Sequence, residues 1–390
     1  MKKAILRVMA GAIALTGAGL AGAQQVRGVY PDKIVFGMMT DLSGPVANVG
    51  VAQSNAIRMR FEEANLRGGV HGRKLELVVE DMAYQVPKAV QAANKLINRD
   101  NVFAMIASMA SGPTNAVLPA QIAANVPSVF PNAASRSMFE PFHKLKFASI
   151  VTYDDQARTA VKWMAANRNV KKACVLAIKS DMGDEVVQGV EAASKQLRLG
   201  PVEVAYHKPS DVEFSSAVLK MKEAGCGGLV LATLARDTVG ILSAVKAQRW
   251  DIPVIGAAAT QEPAVVDAPG GIAEGFMVMS LMNTAYVDDA NKTAAEWVKR
   301  YEAKYKVNPS VYGQWAYRWA DLVVLGLQNA GKNLNVDNFI GGLEQIKDYQ
   351  DIFGSPKLSF GPNNHMGATA LTLVAVKNGR FVKASDPLTF

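Results

Sequence analysis

Cysteine and histidine are scarce: the 390-residue chain has two of the first and four of the second. Cys174 and Cys226 allow at most one internal bridge, so no disulfide framework holds the fold. Cys174 stands inside an apolar run and Cys226 just before another, which favours two buried thiols. A single bridge is the alternative, because sequence alone does not bring the two Cα atoms within reach. His71, His143, His207 and His365 stand apart, without metal-ligand spacing or an acid partner close in sequence. No metal and no cofactor are expected.

Catalytic scaffolds are missing too. There is no Gly-x-Ser-x-Gly elbow, and no strand runs into a Gly-x-Gly-x-x-Gly turn. Gly326 to Lys332 spells the start of a phosphate-binding loop, but Asn333 stands where a Ser or Thr hydroxyl should meet magnesium. That segment also ends a helix instead of following a strand, so Gly331 reads as a helix C-terminal glycine. These absences argue against an enzyme. The formal charge of +8 is spread over single residues and pairs such as Lys171-Lys172. A solvated surface is expected, and no nucleic-acid partner.

The N-terminus carries Lys2, Lys3 and Arg7, an apolar stretch from Val8 to Leu20, and then Ala21-Gly22-Ala23. This is the layout of a cleavable secretory signal over residues 1–23. The apolar stretch falls short of the roughly 20 residues a membrane span needs. The mature chain is expected to begin near Gln24, with no Cys there to accept a lipid, and to be a soluble exported protein. Its length suggests two domains.

Beyond the signal, short apolar runs alternate with amphipathic stretches. Lys33 to Met39, the alternating Leu75, Leu77 and Val79, Val102 to Ala107, Val126 to Phe130, Ala173 to Ile178, Leu229 to Thr233 and Pro253 to Gly256 read as strands. Gly50 to Leu66 reads as a helix with Ile57, Phe61 and Ala64 on one face, and Pro87 is placed to open another. Asp184 to Lys195 and Val212 to Ala224 are further helical segments. This βαβα rhythm predicts parallel sheets covered by helices, and it runs twice, over about 31–148 and 149–275.

Ligands in such sheets bind beyond the carboxyl ends of the strands. The loops concerned are rich in Gly, Ser, Ala and Asn: Thr40 to Asn48, Ser108 to Thr114, Asn132 to Arg136, Lys179 to Asp184, Leu234 to Asp237 and Ala257 to Gln261. Three more helices are expected at Ala290 to Tyr305, Gln314 to Asn329 and Val336 to Ile346. A β-rich tail follows at Lys357 to Phe360 and Ala368 to Val376, with Asn378-Gly379 as a hairpin turn. Trp315 and Trp319 lie on one helical face, packed onto their own lobe. Met38, Met39 and Met105 read as core, whereas Met109 and Met182 can line an adaptable apolar pocket.

Leu42-Ser43-Gly44-Pro45-Val46-Ala47-Asn48-Val49-Gly50 resembles the first strand-to-helix loop of the leucine/isoleucine/valine-binding proteins of ABC importers. Asn65 to Leu75, Pro87-Lys88-Ala89-Val90 and Ile272-Ala273-Glu274-Gly275 extend the similarity over nearly the whole mature chain. The resemblance implies an α/β type I periplasmic-binding fold: two similar lobes, each a parallel sheet flanked by helices, joined by three hinge crossings. It places one lobe at 27–148 plus 281–355 and the other at 149–280 plus 356–390. It implies a periplasmic binder of a small carboxylate or amino-acid-like ligand, monomeric, serving an inner-membrane ABC permease. A periplasmic receptor domain partnering a sensor would use the same fold.

In amino-acid-binding members, a Ser and a Thr in successive strand-end loops hold the ligand carboxylate. The matching positions here are Ser111 and Ala134, with Ser135 adjacent and Asn132 in the same loop. Backbone amides of Ser111, Ala134 and Ser135 can still cradle a carboxylate, and Ser135 can supply the missing hydroxyl. The acid that pairs with the ligand ammonium is replaced by Ala258, and Glu262 substitutes only with a rearranged loop. Ligand-packing aromatics become Val49, Met182 and Ala235. Arg236 and Arg136 add positive charge, and Tyr153 on a crossing adds one hydroxyl. An ammonium left without a counter-charge is costly in a closed cleft, so a carboxylate with an aliphatic or aromatic body and no ammonium is expected.

Overall fold

The apolar runs become buried strands because each segment is short, β-branched or Met-rich, and followed by an amphipathic helix that covers it. A computed structural model of the protein describes residues 25–389, so the expected leader at 1–23 lies outside the described residues. β1 (Lys33–Thr40), β2 (Lys74–Asp81), β3 (Ala104–Ile106), β4 (Ser128–Val129) and β5 (Lys146–Phe147) form a parallel sheet in the order β2-β1-β3-β4-β5. α1 (Ala47–Leu66), α2 (Val86–Asn98) and α3 (Ser111–Ala123) connect them.

α4 (Tyr153–Arg168) leads into the second sheet. There β6 (Ala173–Ile178), β7 (Val204–His207), β8 (Gly228–Ala232), β9 (Val254–Gly256) and β10 (Met277–Ser280) are mutually parallel. α5 (Asp181–Gln196), α6 (Ser215–Glu223), α7 (Ala235–Ala247) and the single turn α8 (Pro263–Val266) lie between them. The chain then returns to the first lobe as α9 (Lys292–Tyr305), α10 (Ser310–Ala330) and α11 (Val336–Glu344), with α10 packed along α1. Phe36 of β1 meets Phe61 of α1 at 5.4 Å and Phe339 of α11 at 6.4 Å, which fixes these layers together.

β11 (Thr372–Lys377) and β12 (Arg380–Lys383) close the chain in the second sheet, whose order is β12-β11-β10-β9-β8-β6-β7. The chain thus passes between lobes after β5, after β10 and after α11, giving the three crossings of the type I periplasmic-binding fold. The second sheet is not wholly parallel: β11 runs antiparallel to β10, and β12 to β11. Their turn is the Asn378-Gly379 pair, with φ of 52° and 71° as a two-residue hairpin of this hand requires. The tail from Lys357 to Phe360 is not a strand; it contributes isolated bridges at Leu358 to Tyr349 and Ala368.

Three further readings change. Cys174 and Cys226 are disulfide-bonded across a Cα separation of 5.9 Å, so the expected buried thiols are not free. Parallel pairing of β6 with β8 sets Cys174 opposite Leu229, which brings Cys226 alongside. α6 begins at Ser215 and not at Val212, and α10 begins at Ser310, one turn before Gln314. Gly331 does end α10, with φ of 77°.

Candidate ligand-binding site

The carboxyl ends of both sheets face each other, and the loops leaving them enclose a cavity of about 710 Å³. The β1–α1 loop is shaped by Asp41, whose buried carboxylate accepts the amides of Ser43, Gly44 and Val46 at 3.2, 2.6 and 2.9 Å. Gly50 lies so close beneath this loop that a Cβ there would stand 1.9 Å from the Asp41 carbonyl oxygen. Pro45, Val46, Asn48 and Val49 are thereby presented to the cavity.

β3 ends in a turn that places Met109 and Ala110 on the wall, Ala110 with φ of 69°. α3 then starts at Ser111 without a side-chain cap, directly after the wall residue Ala110, which puts the positive end of its dipole next to the cavity. The Ser111 hydroxyl is buried and has no hydrogen-bond partner among the described residues. Asn132 and Ala134 follow from the loop after β4, and Tyr153 from the first crossing. Burial raises the Tyr153 phenol above its ordinary value, so it remains a neutral hydroxyl.

From the second lobe come Met182, Ala235, Arg236 and Ala258. Eight of the ten positions singled out from sequence, Val49, Asn132, Ala134, Tyr153, Met182, Ala235, Arg236 and Ala258, therefore meet at one cavity; Ser111 and Ser135 do not line it, though their neighbours Ala110 and Ala134 do. Ser135 does not supply the missing oxygen. Its hydroxyl donates to Glu185 of α5 and shares a 2.9 Å bond with Ser137. Arg136 is also withdrawn, since it pairs with Asp154 at 2.8 Å and Asp155 at 3.1 Å. Arg236 borders the cavity, yet its guanidinium donates to Asp237 and to the carbonyls of Pro209 and Asp211. Both expected cations are engaged with protein partners.

The largest departure concerns Glu262. It needs no loop rearrangement, because the short 3-10 turn Ala258–Thr260 folds the chain back and puts Glu262 on the cavity wall, 4% exposed. Asn48 of the opposite lobe donates to its carboxylate at 3.1 Å. Burial pushes the Glu262 carboxyl up to about 7, a rise that the Asn48 bond only partly offsets.

Aromatic residues close the remaining side. Tyr84, Tyr312 and Trp315 all border the cavity and none was singled out as a ligand contact from sequence. Tyr312 donates to the Ala259 carbonyl across the cleft at 3.0 Å. Trp319, one turn on, is instead core, donating its indole N–H to Ser149 at 2.8 Å. The Trp315–Trp319 face was a visible signal with two meanings; half of it is core and half is cavity wall. Tyr84 had no signal, since it arrives through two successive residues at positive φ, Ala83 and Tyr84. No group of three or more His, Cys, Asp or Glu able to hold a metal occurs among the described residues.

The model of the family described as periplasmic binding protein matches residues 33–380. The chain belongs to the periplasmic binding protein family. This periplasmic binding protein is 24% identical to the leucine-, isoleucine-, valine-, threonine- and alanine-binding protein of Pseudomonas aeruginosa over 301 residues, 77% of this chain and 79% of that one. The fatty acid ABC transporter substrate-binding protein of Thermomonospora curvata superposes with a TM-score of 0.83 at 23% identity, covering 94% of this chain and 95% of that one. A branched-chain amino acid ABC transporter protein from Thermus thermophilus with bound valine also gives 0.83, at 19% identity and with 92% and 97% covered. The similarity to leucine/isoleucine/valine-binding proteins read from the four sequence segments is borne out by these matches. No helix among the described residues is long and apolar enough to cross a membrane.

Proposed function

We propose that the chain is the periplasmic substrate-binding component of an ABC importer, exported through residues 1–23, and that its cavity takes a small carboxylate with an aliphatic or aromatic body. The observation that carries this reading is the uncapped start of α3, with the buried unpartnered Ser111 hydroxyl, next to a wall that is largely apolar and aromatic, with Met109, Met182, Val49, Tyr84 and Trp315 among its side chains. Helix-terminal amides favour an anion, and the apolar wall favours its hydrocarbon part. One relative is named for fatty acids and another for leucine, isoleucine, valine, threonine and alanine, and what these ligands share is a carboxylate.

Residues 27–148 with 281–355 and 149–280 with 356–390 are the lobes of this reading. A ligand touching both favours their closed arrangement, and the closed monomer docks on an inner-membrane permease. No bond is made or broken. Transport requires only that the ligand bind the closed form better than the open one.

Native mass spectrometry of freshly purified protein, followed by thermal-shift screening against carboxylic acids and the corresponding α-amino acids, tests the ligand class. A bound acid should raise the melting temperature by mass action, by about 2.7 kcal/mol of stabilisation at a hundred times its Kd. Stabilisation by leucine and none by the matching carboxylates would sink the ammonium-free assignment.

A further inference from the structure

Glu262 is the one acidic side chain on the cavity wall without a cationic partner among the described residues, since Asp237 is matched by Arg236 at 2.8 Å. Its carboxylate receives a single hydrogen bond, from Asn48, and is 4% exposed. With one donor on two oxygens the carboxyl keeps free acceptor capacity, and that capacity opens on the cavity, where a ligand donor can reach it.

We propose that Glu262 sets ligand selectivity by accepting a hydrogen bond from a neutral hydroxyl on the apolar body of the carboxylate ligand; this rests on the carboxylate-binding reading above. A hydroxyl has one hydrogen to place, and Glu262 takes it. An ammonium has three, together with a full charge to be desolvated. Its other hydrogens would have only weaker neutral acceptors near Glu262: the second lone pair of the Ala259 carbonyl, which already accepts from Tyr312, and the phenol oxygens. The remaining titratable groups facing this part of the cavity are the phenols of Tyr84, Tyr153 and Tyr312, all held neutral by burial. The near-neutral titration of Glu262 agrees with surroundings that supply no positive charge.

The position also explains how selection reaches the lobes. Asn48 lies in the first turn of α1 and Glu262 in the second lobe, so the ligand hydroxyl is read at the seam that closure brings together.

Calorimetric titration of the mature protein with two matched sets tests the assignment. One set is 3-phenylpropionate, 3-(4-hydroxyphenyl)propionate and 3-(4-aminomethylphenyl)propionate; the other is 4-methylpentanoate, 2-hydroxy-4-methylpentanoate and leucine. In at least one set the hydroxyl member should bind about tenfold more tightly than its parent acid, as one net hydrogen bond provides. Glu262→Gln keeps an acceptor and should keep that preference, whereas Glu262→Leu should lose it, the preference being read within each protein as the ratio of hydroxyl-acid to parent-acid affinity. Equal affinity for parent and hydroxyl members overturns the proposal, as does best binding by an amino member that Glu262→Gln abolishes. Failure of both parent acids and both hydroxyl acids to bind would instead overturn the carboxylate reading, and this inference with it.

Discussion

The Asn48 amide of one lobe donates to the Glu262 carboxylate of the other at 3.1 Å, inside a cavity where Glu262 is almost wholly shielded from water. Because burial lifts the folded-state value to about 7 from an ordinary 4.5, folding penalises the charged form. The sign follows: the penalty is absent below the unfolded value, grows as pH rises, and is complete above the folded one. Glu262→Gln should therefore stabilise the ligand-free protein at about pH 8 by up to roughly 3 kcal/mol and leave it unchanged at about pH 4. Thermal melts of both proteins at the two pH values check this. An equal shift at both would show that the gain comes from packing and not from charge.

Trp315 borders the cavity while Trp319, one turn further along α10, is locked to Ser149 in the core. Of the five tryptophans, Trp315 should thus report ligand binding by a change in fluorescence. Trp315→Phe should abolish that change while retaining binding. Trp319→Phe should keep the change and lower the melting temperature, because Ser149 is left without its donor. A ligand-induced signal that survives Trp315→Phe intact would place the ligand away from this wall.

Much of this architecture is legible in the sequence because periodicity is enforced by burial. β1 and β6 are almost entirely inaccessible to water, and each is built on an apolar run, Ile34 to Met39 in β1 and the whole of β6. Asn378-Gly379 reads as a hairpin because few other pairs accept two positive φ angles. The strands missed are those with least local contrast, such as β10, whose four residues Met277–Ser280 follow directly from a glycine-rich turn. Site residues were legible where the family resemblance fell on loops that leave strand ends, as with Ala134, Met182 and Ala258. They were obscure where backbone geometry decides. The 3-10 turn that carries Glu262 into the cavity, and the pairing of Arg236 with Asp237, are local tertiary outcomes with no periodic trace. The disulfide was undecided for a similar reason, since the register of β6 on β8 determines whether Cys174 reaches Cys226.

That bridge spans 52 residues and ties the amino-terminal end of β6 to the turn before β8, the opposite end of the sheet from the cavity. Closing a loop of this length restricts the unfolded chain by about 4 kcal/mol in the chain-entropy account. The double variant Cys174→Ala, Cys226→Ala should accordingly lose a comparable amount of stability in urea denaturation while binding ligand as tightly as before. A large loss of affinity at temperatures where the variant is fully folded would mean that the bridge also positions the strand-end loops.

Arg318 of α10 and Asp351 of the third crossing are both buried, 3.7 Å apart. Asp351 has a second task, since its other oxygen accepts the amides of Phe353 and Ser355 and so shapes the crossing. The guanidinium has none: its Nε and one terminal nitrogen lack partners among the described residues. Removing the acid leaves a desolvated charge without compensation, so Asp351→Ala should destabilise by about 3–5 kcal/mol. Arg318→Met alone removes the charge that needs compensating and should be milder. In the double variant Arg318→Met, Asp351→Ala, much of the loss should be recovered, because no uncompensated cation remains and only the two amide bonds of the crossing are missing. A double-mutant cycle by denaturant unfolding measures the coupling directly. If the two losses simply add, the pair does not interact across 3.7 Å, and Asp351 acts on the crossing through its backbone bonds alone.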